Sequence, residues 1–405
     1  MRNHRYRVLM VASHPVQYMS PVFRELAQHP MLDVHVAYCS LQGAERARDP
    51  GFGVEVSWDI PLLDGYRWTE VRNRSPQPGL ERFWGLLNTG LWSMLRRDTY
   101  DAVVVFTGYA YASFWIVMLA AKLAGLPILF GTDATRLGPR SGARWKLSAK
   151  RWLLPRIFRL ATVVIVPSSA GAEFIRSLGI GNDRVVLTPY TVNNKWWMEQ
   201  AEKIDRAAVR ERWGIPLDAP AVLFCAKMQS WKRPFDLLQA FVRANVPQAY
   251  LIYAGDGPLK AELEREVARQ GVSARVRFLG FVNQSVLPEV YRSSDLLVLP
   301  SEYEPFGVVV NEAMLCGCAV AVSDRVGAGP DLIRPGETGF LFPCGDVDAL
   351  ARILCQALLG PEVLAHVRKA ALDRMQSWTI GDNVEAMVEA VSRACSDHAS
   401  VRARN

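Results

Sequence analysis

Acidic residues are missing from a long stretch of this chain. Between Ala134 and Ala172 there is no Asp or Glu, against eight Lys or Arg at 136, 140, 144, 146, 150, 151, 156 and 159. Cysteine is sparse as well. Seven cysteines in 405 residues are an odd number, and the C-x-C of Cys316 and Cys318 suits no zinc site. This argues against a disulfide framework and reads as reduced thiols in a cytosolic protein. Low-complexity tracts and solenoid repeats are absent. The N-terminus carries Arg2, His4, Arg5 and Arg7, but only Val8 to Ala12 follow before Ser13 and His14. That is a strand, not a secretory leader. One segment has membrane length: Ala102 to Ala121, twenty residues without a formal charge. Its Val103–Phe106 run is β-branched and short, Thr107-Gly108 interrupts it, and Tyr111 onward has the pattern of an apolar helix. Strand, turn and buried helix account for it better, and Pro127–Phe130 completes a βαβ unit.

The length suggests two domains, and 50% hydrophobic residues are ample for two cores. Apolar runs predict strands at Arg7–Ala12, Val34–Tyr38, Ala102–Phe106, Pro127–Phe130, Thr162–Val166 and Val185–Leu187, alternating with helical segments such as Pro21–Ala27. This is the pattern of a parallel sheet covered on both faces. Gly43 to Asn73 is irregular and reads as an inserted loop over the acceptor side. Periodicity stops at Thr188–Asn194, the candidate linker. A second alternation follows, with strands at Ala221–Cys225, Ala249–Ala254, Arg275–Leu279, Asp295–Leu299, Cys318–Val322 and Gly339–Phe342. The tail from Pro361 to Cys395 is helical.

The net charge of +7 is concentrated in the acid-free stretch, where Trp145, Trp152, Leu153, Leu154, Ile157 and Phe158 are interleaved. Two readings of 136–159 stand level: a surface helix whose cations snorkel over a core-facing stripe, and an interfacial helix attracted to anionic lipid. No zinc finger, helix-turn-helix or RNA-binding aromatic motif accompanies the charge, so no nucleic-acid partner is expected.

The chemistry concentrates in Glu304-Pro-Phe-Gly-Val-Val-Val-Asn-Glu312, after the buried run Leu296–Pro300. Two carboxylates flank a glycine turn where a strand gives way to a helix. In an open α/β sheet ligands bind at such turns. The helix start suits a phosphate, and the carboxylates suit paired sugar hydroxyls. A sugar attached to a phosphate fits both. With Pro305, Phe306, Gly307 and the downstream Gly317, Ser323, Asp324 and Gly327, this element resembles the E-x7-E motif of retaining GT-B glycosyltransferases, specifically family 4. The resemblance covers nearly the whole chain.

It implies an α/β fold of two Rossmann-like domains facing each other across a cleft: 1–190 on the acceptor side, 191–376 on the nucleotide-sugar side, and a helix of 377–405 crossing back near Ser377-Trp378. It implies that Glu304 meets donor-sugar hydroxyls, that the Phe306 and Gly307 backbone lies beside it, and that the helix start near Val308 faces the phosphates. Glu312 accepts from the ribose. Phe224–Pro234 is similar to the family's Gly-Arg-Leu-x-x-x-Lys element. Lys227 and Lys232 are its cations for the diphosphate, and Ala226 and Lys227 replace the glycine and arginine. Lysine keeps the charge and loses the bidentate fork; Arg233 adds a third cation. Gly255, in Tyr253–Pro258, resembles a cleft turn, and glycine there serves the turn first. Arg275–Phe281 matches the strand and loop that meet the base.

Ser13–Tyr18 resembles a His-Pro-x-Gln-Tyr subset of the family. It puts His14 and Gln17 on the acceptor side, with a structural strand-end cap as the other reading of His14. Asp133 either hydrogen-bonds donor or acceptor or caps the next segment. The family's linker aspartate is Asn193 here. The implied activity is transfer of a sugar from a nucleotide-diphosphate-sugar to an acceptor hydroxyl, retaining configuration and needing no metal or cofactor. The acceptor is a glycan or a lipid-linked saccharide in polysaccharide or lipopolysaccharide synthesis. The place is the cytoplasm, peripheral on the inner membrane face. The alternatives are a GT-B nucleotide-sugar epimerase and a non-catalytic sugar-nucleotide-binding protein, which turnover would separate.

Overall fold

Aliphatic and β-branched runs form strands that are buried from end to end, as in sheets covered on both faces. The computed structural model describes residues 5–49, 51, 53–137 and 144–402, without the side chains of 47–48, 144–147 and 399–402. The first strands are β1 (Tyr6–Ala12), β2 (Leu32–Tyr38), β3 (Ala47–Arg48), β4 (Glu55–Val56), β5 (Arg67–Glu70), β6 (Ala102–Val105), β7 (Ile128–Gly131), β8 (Val163–Val166) and β9 (Val185–Leu187). The later ones are β10 (Ala221–Cys225), β11 (Tyr250–Ala254), β12 (Val276–Gly280), β13 (Leu296–Leu299), β14 (Ala319–Ser323) and β15 (Phe340–Phe342). The α-helices of the first half are α1 (Met19–Gln28), α2 (Gly90–Arg97), α3 (Ala112–Ala124), α4 (Arg144–Phe158) and α5 (Ser169–Ser177). Those of the second half are α6 (Asn194–Glu202), α7 (Arg206–Arg212), α8 (Pro234–Ala244), α9 (Lys260–Arg269), α10 (Leu287–Arg292), α11 (Val309–Leu315), α12 (Gly329–Leu332), α13 (Val347–Leu359), α14 (Pro361–Met375) and α15 (Ile380–Arg402).

The chain divides into two units. The first comprises Met1–Glu45, Pro61–Tyr190 and Ile380–Asn405; the second comprises Arg46–Ile60 and Thr191–Thr379. In the first unit a parallel sheet runs β5-β2-β1-β6-β7-β8-β9. Helices α2 to α5 bury one face through Leu91, Phe114, Val117, Ile157, Phe158 and Ile175. Helices α1 and α15 bury the other through Phe23, Leu26, Met387 and Val391. The uncharged stretch from Ala102 to Ala121 is β6, a turn and α3. Among the described residues no single helix is long and apolar enough to cross a membrane.

In the second unit a parallel sheet runs β12-β11-β10-β13-β14-β15. Helices α8, α9, α13 and α14 cover one face, and α10 and α11 pack with α6. Asp295, just before β13, gathers three guanidinium groups. Arg206 Nη2 lies 2.7 Å from Oδ1, Arg210 Nη2 lies 2.7 Å from Oδ2, and Arg368 shares Oδ1. Both sheets reverse their strand order once, between β1 and β6 and between β10 and β13. Open parallel sheets bind ligands beyond the C-terminal strand ends at such a reversal.

Several elements differ from the sequence reading, among them these. β5 forms on a segment read as loop, with all four residues exposed. α2 was not expected. The hairpin β3–β4, inside the segment read as an acceptor-side insertion, belongs to the second unit.

Candidate functional site

β10 ends at Cys225, and the chain must turn there from the sheet into α8. Ala226 N bonds to Ala254 O at 3.2 Å and Met228 N to Asp256 O at 2.9 Å, so this turn lies against the one after β11. Lys227 opens the turn, and a single 3₁₀ turn (Ser230–Lys232) carries Lys232. Arg233 follows with φ +53°, a left-handed conformation that costs a non-glycine residue. Its Nε donates to Asp236 Oδ2 at 2.6 Å, and Pro234 starts α8 where no N–H is needed. Three cations thus arise from one strand-to-helix turn on one side of the sheet reversal.

The loop after β13 lies on the other side of that reversal. Glu302 N bonds to Trp231 O at 2.7 Å and stitches the two loops together. The Lys232 ammonium is ion-paired with the Glu304 carboxylate, both about one-seventh exposed. Lys227 Nζ lies 2.8 and 2.9 Å from the two Asp49 oxygens. Gly327 N bonds to Glu304 O at 3.0 Å. A Cβ on Gly327 would fall 1.9 Å from Pro305 O, so only glycine lets these backbones meet. Gly307 takes φ +96°. The Phe306 ring is buried and stacks on Trp378 at 6.4 Å, which leaves its backbone as the part able to face a ligand. Val308 caps α11, which begins at Val309.

Glu312 lies one turn into α11 and is 4% exposed. Tyr291 Oη donates to its Oε2 at 2.7 Å, and Cys225 Sγ lies 3.5 Å from the same phenol. Burial pushes the Glu312 carboxyl up to about 7, and the Tyr291 hydrogen bond offsets only part of this. Gly255 takes φ +138°, and a Cβ there would fall 2.1 Å from Ala226 O. Its role in this geometry is the close approach of the β11 and β10 turns. Beyond β12, Phe281 meets Trp58 with ring centroids 6.2 Å apart.

The first unit holds His14, Gln17 and Asp133. His14 and Gln17 lie in the turn after β1, at the reversal of that sheet, and His14 Nδ1 is 2.9 Å from Ser13 Oγ. Asp133 is exposed, two residues past β7. The sheet separates β1 from β7 by β6, yet Tyr18 and Asp133 both act on Tyr190. The Tyr18 and Tyr190 rings are 5.1 Å apart. Burial pushes the Tyr190 phenol well above its ordinary value, and the nearby Tyr18 and Asp133 raise it further. Asn193 is the N-cap of α6, its Oδ1 accepting from Trp196 N at 3.0 Å.

Sequence reasoning missed Asp49, Tyr291 and Tyr190. Tyr291 follows the apolar stripe of α10 and reads as plain core. Asp49 is 178 residues from Lys227 and has no motif of its own. In the basic stretch, residues 138–143 and the side chains of 144–147, among them Arg140, Arg144, Trp145 and Lys146, lie outside the described residues, as do Arg2 and His4. Within α4, Leu154, Ile157 and Phe158 are core, whereas Trp152 is 63% and Leu153 42% exposed. Arg156 lies over the Trp152 ring at 3.9 Å. The core-facing stripe is thus present on part of the helix, and an apolar outer edge remains beside it. Among the described residues no group of three or more His, Cys, Asp or Glu could hold a metal ion.

The comparisons with known proteins divide at the same place as the fold. Residues 205–374 match the family described as Glycosyl transferases group 1, and residues 15–191 match the Glycosyl transferase 4-like domain. The D-inositol 3-phosphate glycosyltransferase of Streptomyces scabiei is 32% identical over 262 residues, 62% of this chain and 58% of that protein. The chain spans about half the length of the curated relatives it matches. In fold it is similar to Anabaena HepE, solved with UDP and glucose (TM-score 0.73, 20% identity, 96% of this chain and 100% of that one). It is also similar to WaaG, a glycosyltransferase of lipopolysaccharide biosynthesis (TM-score 0.66, 16% identity, 95% and 99%). These structures have the GT-B fold.

Proposed function

The chain belongs to the group 1, family-4-like glycosyltransferases of the GT-B fold, and from that membership we propose that it moves a sugar from a nucleotide-diphosphate-sugar to an acceptor hydroxyl with retention of configuration. One observation carries this reading. Lys227 and Lys232 follow β10, Glu304 follows β13, and the two turns flank the reversal of the second sheet.

Departure of a nucleoside diphosphate needs positive charge that is already in place. Lys227 and Lys232 supply it, with Arg233 beside them, and no metal or cofactor is required. Glu304 accepts from the donor sugar's hydroxyls next to the Phe306 and Gly307 backbone. Val308 opens α11 toward the phosphates, and Glu312 accepts from the ribose. Gly255 keeps the β11 turn close enough to frame the site. The anomeric carbon's bond to the phosphate oxygen breaks, its bond to the acceptor oxygen forms on the same face, and the acceptor proton passes to the leaving phosphate. His14, Gln17 and Asp133 serve the acceptor.

The acceptor in this proposal is a lipid-linked saccharide, met on the cytoplasmic face of an anionic membrane through 136–159. The exposed Trp152 and Leu153 with their neighbouring cations support this. So do the exposed Trp84, in the 3₁₀ turn Phe83–Gly85 that packs with α3, and Leu119 and Leu123 on α3, which shares the helical layer with α4.

The test is a thermal-shift screen against UDP-, GDP-, ADP- and TDP-sugars, repeated on Glu312→Ala. Stabilisation by one donor that is lost in the variant supports the donor site and names the base. Equal stabilisation in the variant would sink the ribose assignment. Folded protein that responds to no donor would overturn the transferase reading.

A further inference from the structure

The hairpin β3–β4 packs within the second unit, although its sequence neighbours belong to the first. Asp49 is at its tip. Asp49 N bonds to Val54 O at 2.9 Å, Gly53 N bonds to Asp49 O at 2.8 Å, and Asp49 Oδ1 accepts from Gly51 N at 2.7 Å. The turn therefore holds the carboxylate in one orientation, with Lys227 Nζ 2.8 and 2.9 Å away. Gly51 lies against the lysine stem: a Cβ there would fall 2.7 Å from Lys227 Cδ and Nζ. Gln229 Nε2 reaches Gly51 O at 3.4 Å.

The segment is tied down again at its far end. Asn283 Nδ2 donates to Ser57 O at 2.8 Å, and Ser285 N donates to Asp59 Oδ1 at 3.1 Å. Trp58 rests on Phe281. These anchors lie just beyond β12, two strands from β10 in the sheet. The segment thus runs along the C-terminal edge of the sheet from β10 to β12, over the edge where the proposed donor binds.

We propose that Asp49 is an affinity-setting residue of the donor site: an internal anion that holds Lys227 until the donor's diphosphate takes its place. This rests on the reading of Lys227 as a diphosphate ligand. A diphosphate carries more charge and more acceptor oxygens than one carboxylate, so it wins the exchange. Asp49 makes that exchange a condition of binding. Weakly charged ligands, such as a free sugar or a nucleoside, cannot displace it. Lys227 and Asp49 are 32% and 26% exposed, so water and salt moderate the competition and its effect is modest.

The experiment is calorimetric titration of UDP, GDP, ADP and dTDP into wild type, Asp49→Asn, Lys227→Ala and the double variant, each checked for folding by its melting temperature. The wild-type protein's preferred diphosphate is expected to bind Asp49→Asn about two- to fivefold tighter. Lys227→Ala is expected to bind it weakly, and Asp49→Asn to add nothing in the Lys227→Ala background. Unchanged or weaker binding by Asp49→Asn, or a gain that persists without Lys227, overturns the proposal and leaves the donor site standing. Wild-type affinity in Lys227→Ala, or no diphosphate bound by any of the four proteins, overturns the donor reading and Asp49's role with it.

Discussion

Glu312→Gln isolates a single buried titration in the second unit. Glu312 is 4% exposed, and burial lifts its carboxyl from an ordinary 4.5 to about 7 against the pull of Tyr291. Below about 4.5 the folded and unfolded chains both hold this proton. As pH rises from there the unfolded chain releases it first, so folding loses stability until about pH 7 and then levels off. The separation corresponds to roughly 3 kcal/mol across the window. For a unit of about 200 residues that is roughly 6 to 12 °C in melting temperature. Glutamine keeps the shape and still accepts from Tyr291, but it does not titrate. Melting curves of wild type and Glu312→Gln, followed by tryptophan fluorescence from pH 5 to 7.5, should therefore separate as pH rises, with the variant increasingly the more stable. All other ionisable groups are common to both proteins and cancel in the difference. In the proposed donor complex, ribose hydroxyls donating to Glu312 would favour the carboxylate, so saturating donor should narrow the gap. Parallel curves without donor would refute the argument, because they would mean that the carboxylate is solvated or its charge compensated in the folded protein.

Asp295→Asn strips the counter-charge from Arg210, which is 1% exposed, and from Arg206 and Arg368. It should cost about 3 to 5 kcal/mol in urea denaturation at neutral pH. Burial raises the Asp295 pKa, but the three guanidinium groups outweigh it and lower the carboxyl overall. The wild-type advantage should therefore vanish as acid protonates Asp295. Gly327→Ala drives a Cβ against Pro305 O. It should cost about 1 to 3 kcal/mol and abolish donor-induced stabilisation in a thermal-shift assay. Arg151→Glu with Arg156→Glu should cut binding to vesicles of one-quarter phosphatidylglycerol by at least about tenfold at low salt, read by co-sedimentation, with donor affinity intact. Unchanged sedimentation would remove the membrane from the proposal.

The central strands were legible because burial on both faces leaves an uninterrupted apolar run, as in β10 and β13. β5 left no such trace. Its four residues are all exposed, and it joins the sheet through main-chain pairing with β2 alone. α2 is framed by Gly90 and the Arg96-Arg97 pair, and its short apolar face (Leu91, Leu95) is too brief for a periodic signal. In the site, residues local in sequence were readable together: Lys227 with Lys232, and Glu304 with Glu312. What pairs with them was not. Lys232 meets Glu304 across 72 residues and Lys227 meets Asp49 across 178. Only the sheet order brings the first pair together, and only the return of a hairpin brings the second. The burial of Glu312 depends on Tyr291 and the α6–α10 packing around it, which no local pattern encodes.

The placement of α15 has a consequence for how the protein is made. Val384, Met387, Val388, Val391 and Ala394 complete a core whose buried members outside α15, from Val8 to Val186, all precede the second unit's sheet in sequence. A ribosome delivers the seven strands of the first sheet by Leu187 and the closing helix only from Ile380. At about 5 to 20 residues per second the interval is roughly 10 to 40 s. During that time the part of the sheet face that α15 will cover is an exposed apolar surface beside α1, while the second unit emerges and can fold around its own core. Synthesis of α15, rather than completion of the first unit's own strands, is then the event that ends the exposure. A protease or chaperone acting on nascent chains meets that face first.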